Sequence, residues 1–218
     1  MAAQVTLESL ADRLALADAL RIGKDAMFDP QDLPGRYGRV VRALDHLLEA
    51  IGCEAIVAGG WAVWRHGYVG RVTEDVDIVV PAANVEELLR AASVSGFEVS
   101  PVPAGVWPKL RHKESGVNVD ILPEGATPGT SSHPAPTTIP HPSRLGARGR
   151  RLGYIDLSGL VELKLAAGRA RDESDVVELL RANSDRVDAI GDHLAHVNAG
   201  YLARFHELLA RAREQTDR

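Results

Sequence analysis

The sequence predicts an α/β fold, or α+β in stricter terms: a small mixed sheet flanked by helices and extended by helices at both ends. Short apolar runs of strand length, such as 55–58 and 75–80, alternate with longer segments whose apolar residues recur at helical spacing. A hydrophobic fraction of 45% and a charged fraction of 25% are ordinary for a globular protein. A chain of 218 residues suffices for one sizeable core, or for one core with a helical annex.

Composition and charge limit the partners that we expect. The single cysteine, Cys53, excludes an internal disulfide framework and suits a reducing cytosol. Residues 1–24 lack a basic leader and a long uncharged run, so they predict neither a signal peptide nor a membrane span. We therefore expect a cytoplasmic protein with no membrane partner. The formal net charge of −5 gives no overall attraction to nucleic acid, although a local basic patch can outweigh the average.

Helical segments at the two ends divide the chain into three predicted parts. These are an N-terminal helical extension over 1–52, a core over 53–157 and a C-terminal helical region over 158–218. Apolar spacing predicts helices over 4–22 and 37–50, with Gly52 ending the second, and one or two helices over 185–213. We assign packing roles to these helices.

The stretch from Gly59 to Val80 organises the predicted site. Gly59 and Gly60 follow the first strand and open a short helix, and the second strand begins with Asp75 and Asp77. Residues i and i+2 of a strand share a face, so both carboxylates can point to one place. Glycines let a phosphate approach the backbone closely, and Mg²⁺ takes carboxylate ligands together with substrate phosphates.

The next elements build the rest of the predicted sheet. A helix over 81–95, with Asn84 as its N-cap, leads to a strand over 97–102. The segments 106–112 and 117–122 are predicted to pair as a hairpin, because a short turn containing Gly separates two strand-like runs.

A third carboxylate, Asp120, lies in the second strand of this hairpin. Apolar and polar residues alternate there, and the strand should neighbour Asp75 and Asp77. Asp120 either faces solvent on an edge strand or completes an acidic triad. We favour the triad, because a carboxylate among apolar strand residues is costly unless it is paired, hydrogen-bonded or bound to metal.

The segment 124–143 is rich in Pro, Gly, Ser and Thr and predicts a long loop near the site. His133 and His141 lie in this loop, but no supporting Cys or spacing motif makes them metal ligands, and they stay unassigned. Four arginines follow within 144–151. They fit either a solvated loop or a patch that binds nucleic acid.

A charged cluster follows beside apolar helix faces. A strand is predicted over 152–157 and then a helix with Ser158 as N-cap, in which Lys164 has apolar neighbours. A lysine so placed reaches either solvent or a buried anion. The charged residues that follow are Arg171, Asp172 and Asp175. Each of these residues, taken singly, also fits a solvated helix face.

Two parts of the sequence resemble a known superfamily. A glycine pair followed about 15 residues later by Asp-x-Asp resembles the nucleotidyltransferases. The run Lys-Leu-Ala-Ala-Gly-Arg-x-Arg-Asp-x-x-Asp-Val over 164–176 looks like the AbiEii-type members, bacterial proteins of which many are toxins of toxin–antitoxin systems. This resemblance covers about 53–182. The Gly-Gly-Trp-Ala start also resembles small antibiotic nucleotidyltransferases of the lincosamide type.

The resemblance implies Mg²⁺, or Mn²⁺, and a nucleoside triphosphate. Asp75 and Asp77 would hold metal with the triphosphate, and Asp120 would bind a second metal and activate the attacking hydroxyl. Lys164 would be the family's catalytic lysine and, with Arg71, would neutralise triphosphate charge. The residues expected to contact the nucleotide are Gly59, Gly60, Arg71, Thr73, Lys164, Arg171, and Asp172 or Asp175. Many family members carry serine where this chain has Gly60 or Thr73, so Thr73 would supply the hydroxyl.

Three functions fit these observations. The first is a toxin-like enzyme that acts on RNA, in particular a tRNA 3′ end, and has a cognate antitoxin; the arginines within 144–151 favour it. The second is a small-molecule, antibiotic-type nucleotidyltransferase, which the acidic net charge favours. The third is a non-catalytic nucleotide-binding protein of the same fold, and the presence of Asp75, Asp77 and Asp120 argues against it.

Overall fold

The structure, a computed structural model, describes residues 28–69, 73–103, 105–149 and 151–216, together with Ala11, Leu14 and Ala15. Ala11, Leu14 and Ala15 are helical, and the rest of the helix predicted over 4–22 lies outside the described residues. Arg71, which we expected to contact the nucleotide, also lies outside them.

Helices and strands alternate in the first part of the described chain, up to a strand over 97–100, and three more strands and then four helices follow. The helices are α1 Gly35–Ala50, α2 Gly59–Arg65, α3 Val85–Ala92, α4 Leu157–Ala167, α5 Ala170–Ala182, α6 Val187–Val197 and α7 Ala199–Thr216. The strands are β1 Ile56–Val57, β2 Asp75–Val80, β3 Phe97–Ser100, β4 Lys109–His112, β5 Asn118–Pro123 and β6 Gly153–Tyr154. The predicted α/β class is confirmed.

The described strands form a six-stranded mixed sheet in the order β3-β4-β5-β2-β1-β6. β2 runs parallel to β5, and β1 runs parallel to β6, whereas the other neighbours are antiparallel. The register sets Asp77 opposite Asp120 and Lys109 opposite the same Asp120. Residues directly opposite each other project from the same face of a sheet. Lys109, Asp120 and Asp77 therefore form one row across β4, β5 and β2.

The alternation of β2 sends its side chains into two separate cores. Val76, Ile78 and Val80 pack with α1 and α3 on one face of the sheet. Val79 packs on the other face, in a core shared with α4, α5, α6 and α7. Asp75 and Asp77 lie on the same face as Val79, because alternate residues of a strand do. Both aspartates therefore project towards the side that the C-terminal helices cover.

The helix α1 is built into the main core of the sheet. Its residues Val40, Val41, Leu44 and Leu48 are fully buried. Burying one such side chain contributes about 1.5–3 kcal/mol relative to leaving it in water. Positive φ at Gly52 ends the helix as predicted, because this residue adopts +65° without steric cost.

Several predicted boundaries are wrong by a few residues. The strand predicted over 152–157 is only β6, and Asp156 is the N-cap of α4 in place of Ser158. The carbonyl of Asp156 accepts the Leu160 N–H at 2.9 Å, while its side chain makes no capping bond to a described residue. Asn84 does occupy the N-cap of α3, but its side chain makes no capping bond to a described residue.

The first strand of the predicted hairpin is also shorter than expected. It begins at Lys109, because Pro108 has no N–H for the ladder. The Pro108 carbonyl still accepts the Ile121 N–H at 3.0 Å. Among the described helices, none has both the length and the apolar run that crossing a membrane requires.

We expect Gly60→Ala to lower the free energy of unfolding by about 1–3 kcal/mol, the usual cost of overpacking. A Cβ on Gly60 would lie 2.7 Å from the Cβ of Thr73, and this clash outweighs the better helix propensity of Ala. The matched control is Gly153→Ala, whose Cβ would meet no described atom within 4 Å. Urea denaturation measures both variants, and a Gly60→Ala protein as stable as the control would contradict the packing argument.

Candidate active site

A cleft of about 1000 Å³ opens where β2 begins. Its charged lining residues are Glu74, Asp75, Asp77, Lys109, Asp120, Lys164, Arg169, Arg171 and Asp172. Residues of two loops, within 105–108 and 127–134, line it as well. The prediction that the segment 124–143 forms a loop near the site is therefore confirmed.

Asp75 is fixed by hydrogen bonds from two elements. The indole Nε1–H of Trp61 on α2 donates to the backbone carbonyl of Asp75 at 2.8 Å. The Thr73 hydroxyl donates to Asp75 Oδ1 at 3.3 Å, and Tyr37 OH donates to the Thr73 carbonyl at 3.5 Å. Thr73 lines the cleft but is 94% buried, so its hydroxyl orients the carboxylate beside it.

The two glycines occupy different environments. Gly59 lines the cleft and has a φ of +61°, which favours glycine. A Cβ there would overlap the carboxylate of Asp77, so Gly59 allows this carboxylate to lie against the backbone. Gly60 is not among the described residues that line the cleft, and the space beside it is filled by Thr73. We predicted that both glycines admit a phosphate, and this stays a prediction: the Asp77 carboxylate lies where a side chain of Gly59 would be, and Thr73 lies where a side chain of Gly60 would be.

Asp120 lies beside the aspartate pair, as predicted, and it is bound by a lysine that the sequence analysis missed. Lys109 Nζ donates to Asp120 Oδ2 at 2.8 Å. Asp120 Oδ1 is buried and finds no hydrogen-bond partner among the described residues. The alternative of a solvent-facing Asp on an edge strand is wrong, because β5 lies between β4 and β2. The antiparallel register of the hairpin was the signal that could have identified Lys109.

Lys164 reaches buried anions. Its Nζ donates to Asp172 Oδ1 at 2.9 Å and to Asp175 Oδ2 at 2.6 Å, and all three side chains are at most 6% exposed. The alternative of solvated helix faces is therefore wrong for these three residues. Asp172 lines the cleft together with Lys164, whereas Asp175 is not among the described lining residues. The spacing in the sequence did not show whether Asp172 or Asp175 contacts the nucleotide. In the structure the two aspartates differ in their access to the cleft.

Arg169 joins this cluster and was also missed. Its Nε donates to Asp172 Oδ2 at 2.6 Å while its side chain stays 71% exposed in the cleft. The hydrogen bond to Asp172 raises the pKa of the Arg169 guanidinium, and the charge of Asp77 adds to the effect. Arg169 therefore stands between the buried cluster and the carboxylates of β2. Arg171 is exposed and lines the cleft, which suits its predicted contact with a nucleotide.

The residues of the cleft suit a divalent cation that arrives with a nucleotide. In the part of the chain that the structure describes, no three His, Cys, Asp or Glu side chains come together as a ready-made metal site. Mg²⁺, however, usually takes only one or two carboxylates and completes its shell with substrate phosphates and water. Asp75 and Asp77 supply that pair from one strand face, and the partnerless Asp120 Oδ1 adds acceptor capacity beside them.

The two loop histidines take part in local turns. His133 Nδ1 lies 3.1 Å from the Ser132 hydroxyl, and His141 Nδ1 lies 2.8 Å from the Ser143 hydroxyl. Their neighbours are therefore serines of the same loop.

Comparisons with known proteins give a remote likeness only. No protein-family model matches the chain, and no curated protein matches it by sequence. Two solved structures are similar at 15% identity and a TM-score of 0.46: a crystal structure of ANT(2″)-Ia in complex with adenylyl-2″-tobramycin, and a solution structure of the antibiotic-resistance factor ANT(2″)-Ia. Each match covers 82% of this chain, with 97% and 92% of the other chain respectively. We draw no functional conclusion from a likeness of this size.

We expect Asp172 to make the protein sensitive to acid. Burial alone would raise the pKa of the Asp172 carboxyl, but the hydrogen bond from Arg169 and the charge of Lys164 outweigh it and leave that pKa below its ordinary value. A depressed folded pKa contributes stability that is present above the unfolded pKa of about 3.9 and is lost as the pH falls through the folded pKa.

Asp172→Asn should lower the free energy of unfolding at pH 7 by about 1.5–3 kcal/mol, because the buried Lys164 ammonium loses the charge of Asp172 but keeps that of Asp175. Its free energy of unfolding should also fall less steeply than that of the wild type as the pH is lowered from 5 to 2. Urea denaturation across this range measures the slope, with the exposed Asp188→Asn as the matched control. Equal slopes for the wild type and Asp172→Asn would contradict the argument.

Proposed function

We propose that the chain is a metal-dependent nucleotidyltransferase that moves a nucleoside monophosphate from a nucleoside triphosphate to a hydroxyl acceptor. The observation that carries the proposal is the placement of three carboxylates, Asp75, Asp77 and Asp120, on neighbouring positions of β2 and β5 at one cleft. Cations from α4 and α5 line the same cleft. Transfer of a phosphoryl or nucleotidyl group depends chiefly on positioning and on neutralisation of charge, which these residues supply.

The reaction is an in-line displacement at the α-phosphorus. The acceptor oxygen forms a bond to that phosphorus, the bond to the bridging oxygen of the β-phosphate breaks, and pyrophosphate leaves with the electron pair. Asp120 accepts the proton of the acceptor hydroxyl. Asp75 and Asp77 hold the divalent cation, Mg²⁺ or Mn²⁺, which when bound neutralises charge on the phosphates. Gly59, which has no side chain, lets the Asp77 carboxylate lie against the start of α2.

The positive side chains of the cleft have different roles in this proposal, according to their exposure and their partners. Arg169 and Arg171 are exposed, and they neutralise the charge of the triphosphate and the departing pyrophosphate. Lys164 is tied to Asp172 and Asp175, so a large part of its charge is already offset. We assign Lys164 to holding Asp172, and through it Arg169, in place. The charge neutralisation that we predicted for Lys164 thereby passes mainly to Arg169.

A small hydroxylated molecule is the acceptor that we favour. The RNA hypothesis rested on the arginines within 144–151. The arginines of this segment that the structure describes are Arg144, Arg148 and Arg151, and none of the three lines the cleft. Arg151 lies 3.6 Å from Asp29 in a surface ion pair. A cleft of about 1000 Å³ is at the upper end of the range for small-ligand sites, which suits a nucleotide with a compact acceptor.

The test uses the purified chain, Mg²⁺ or Mn²⁺ and each α-labelled nucleoside triphosphate. Acceptors are a panel of small hydroxylated compounds, including an aminoglycoside and a lincosamide, and total tRNA in parallel. Metal-dependent label on a small molecule supports both parts of the proposal. Label on tRNA alone would overturn the choice of acceptor and favour the toxin-like reaction. Failure of every triphosphate to bind would overturn the proposed activity.

We expect Asp77→Asn to reduce transfer at least about 100-fold. The cation and the orientation of the phosphates are worth several kcal/mol, and each 1.4 kcal/mol is a factor of ten in rate. Asp188→Asn, an exposed change of the same kind on α6, should stay within about twofold of the wild type. Steady-state transfer rates give the comparison, and circular dichroism checks that both variants fold. Unchanged turnover in Asp77→Asn would remove the main support for the proposed function.

A further inference from the structure

Lys109 is placed to act in the cleft. It lies on β4 directly opposite Asp120 of β5, and its Nζ is 2.8 Å from Asp120 Oδ2. Its side chain is 41% exposed and lines the same cleft as Asp75 and Asp77. The ammonium is thus within reach of a bound substrate while it is paired with a carboxylate of the site.

The row Lys109, Asp120, Asp77 constrains where cations can bind. Neighbouring strands lie about 4.8 Å apart, so Asp77 and Asp120 stand side by side and Lys109 flanks Asp120 on its other side. Two-cation sites hold their ions about 3.5–4 Å apart, with carboxylates of the site binding both. A second ion on Asp120 Oδ2 would have to occupy the position of the Lys109 ammonium.

We propose that the ammonium of Lys109 takes the place of a second cation on Asp120, so that the site holds one divalent cation for each bound nucleotide. The inference rests on the proposed function and deepens it. Lys109 neutralises Oδ2 of Asp120, and the buried, partnerless Oδ1 is left for the one cation that Asp75 and Asp77 would hold. The family resemblance implied that Asp120 binds a second metal ion. In this proposal the Lys109 ammonium occupies the position of that ion.

The test counts bound Mn²⁺ by electron paramagnetic resonance. The purified chain is incubated with Mn²⁺ and a saturating nucleoside triphosphate that carries a methylene group between its α- and β-phosphorus, for each of the four bases. Ions and nucleotide that are not bound to the chain are removed by gel filtration, because the nucleotide in solution also binds Mn²⁺, and the Mn²⁺ released from the chain by acid is then counted. The wild type should bind one Mn²⁺ per chain. Lys109→Met should bind two, because Asp120 is then open to a second ion. Lys109→Arg, which keeps the charge, should bind one.

The matched control is Lys113→Met, which removes an exposed lysine of the adjacent turn whose Nζ donates to the Ser93 carbonyl at 3.0 Å, and it should bind one Mn²⁺. Thermal melting verifies that each variant folds. The number of Mn²⁺ ions bound by the wild type tests the inference even if the Lys109→Met protein does not fold. Two Mn²⁺ per chain in the wild type, or one in a folded Lys109→Met protein, would overturn this inference and leave the proposed function intact. Complete absence of nucleotide-dependent Mn²⁺ binding would overturn the proposed function, and this inference with it.

Discussion

The parallel pairing of β2 with β5 brings the carboxylates of Asp77 and Asp120 to adjacent positions on one face of the sheet. At about 5 Å and an effective dielectric constant of about 20, two such charges repel by on the order of 3 kcal/mol. Positive charges compensate on both sides: Lys109 is paired with Asp120, and the charge of Arg169 acts on Asp77. The carboxylates of Asp77 and Asp120 therefore repel each other in the cleft, and a bound cation would reduce this repulsion further.

The buried cluster of Lys164, Asp172 and Asp175 meets a related constraint inside the protein. Such a cluster is weak evidence for stability, because removing charges from water costs free energy that their attraction only partly returns. Its geometric effect is clearer. Lys164 belongs to α4, and both aspartates belong to α5, so the three hydrogen-bonded groups fix how these helices meet at the edge of the cleft. Arg169, at the N-cap of α5, is held by Asp172 and projects from this fixed corner.

Most of the fold and half of the site followed from the sequence, for identifiable reasons. Alternation in β2 and β5 specified which residues share a face, and that was sufficient to group Asp75, Asp77 and Asp120. Lys109 was missed because its importance depends on the register of the hairpin, which is a pairing between strands and is not visible in either one alone.

Glycine residues show the same limit of sequence reasoning. Gly59 and Gly60 are adjacent residues of the same type, yet Gly59 lines the cleft and Gly60 packs against Thr73. Which atoms approach a glycine is decided by residues far along the chain, here in β2 and just before it. A glycine pair therefore indicates close approach, but it does not say whether a ligand or the protein itself approaches.

The cleft joins two kinds of structure that differ in what they can contribute. Asp77 and Asp120 sit on strands whose opposite face is locked by fully buried residues such as Ile78 and Ile121. Loop residues within 105–108 and 127–134 also line the cleft, and they include no Asp, Glu, Lys or Arg. Among the described residues, the charged side chains of the cleft therefore come from the sheet and the residue before β2, and from α4 and the start of α5.

Under the proposed function, these loops contribute to the fit of the acceptor. Their contribution is shape, apolar surface and the hydroxyls of Thr127, Thr130 and Ser131, with Trp107 as the aromatic residue among the lining residues described. The longer loop is fastened to the C-terminal helices, since the hydroxyls of Thr137 and Tyr201 lie 2.9 Å apart. Loops on a rigid scaffold change more easily than the scaffold. Changes within 105–108 or 127–134 can therefore alter the acceptor without disturbing the carboxylates. A change of strand register, in contrast, would move Asp77, Asp120 and Lys109 away from one another.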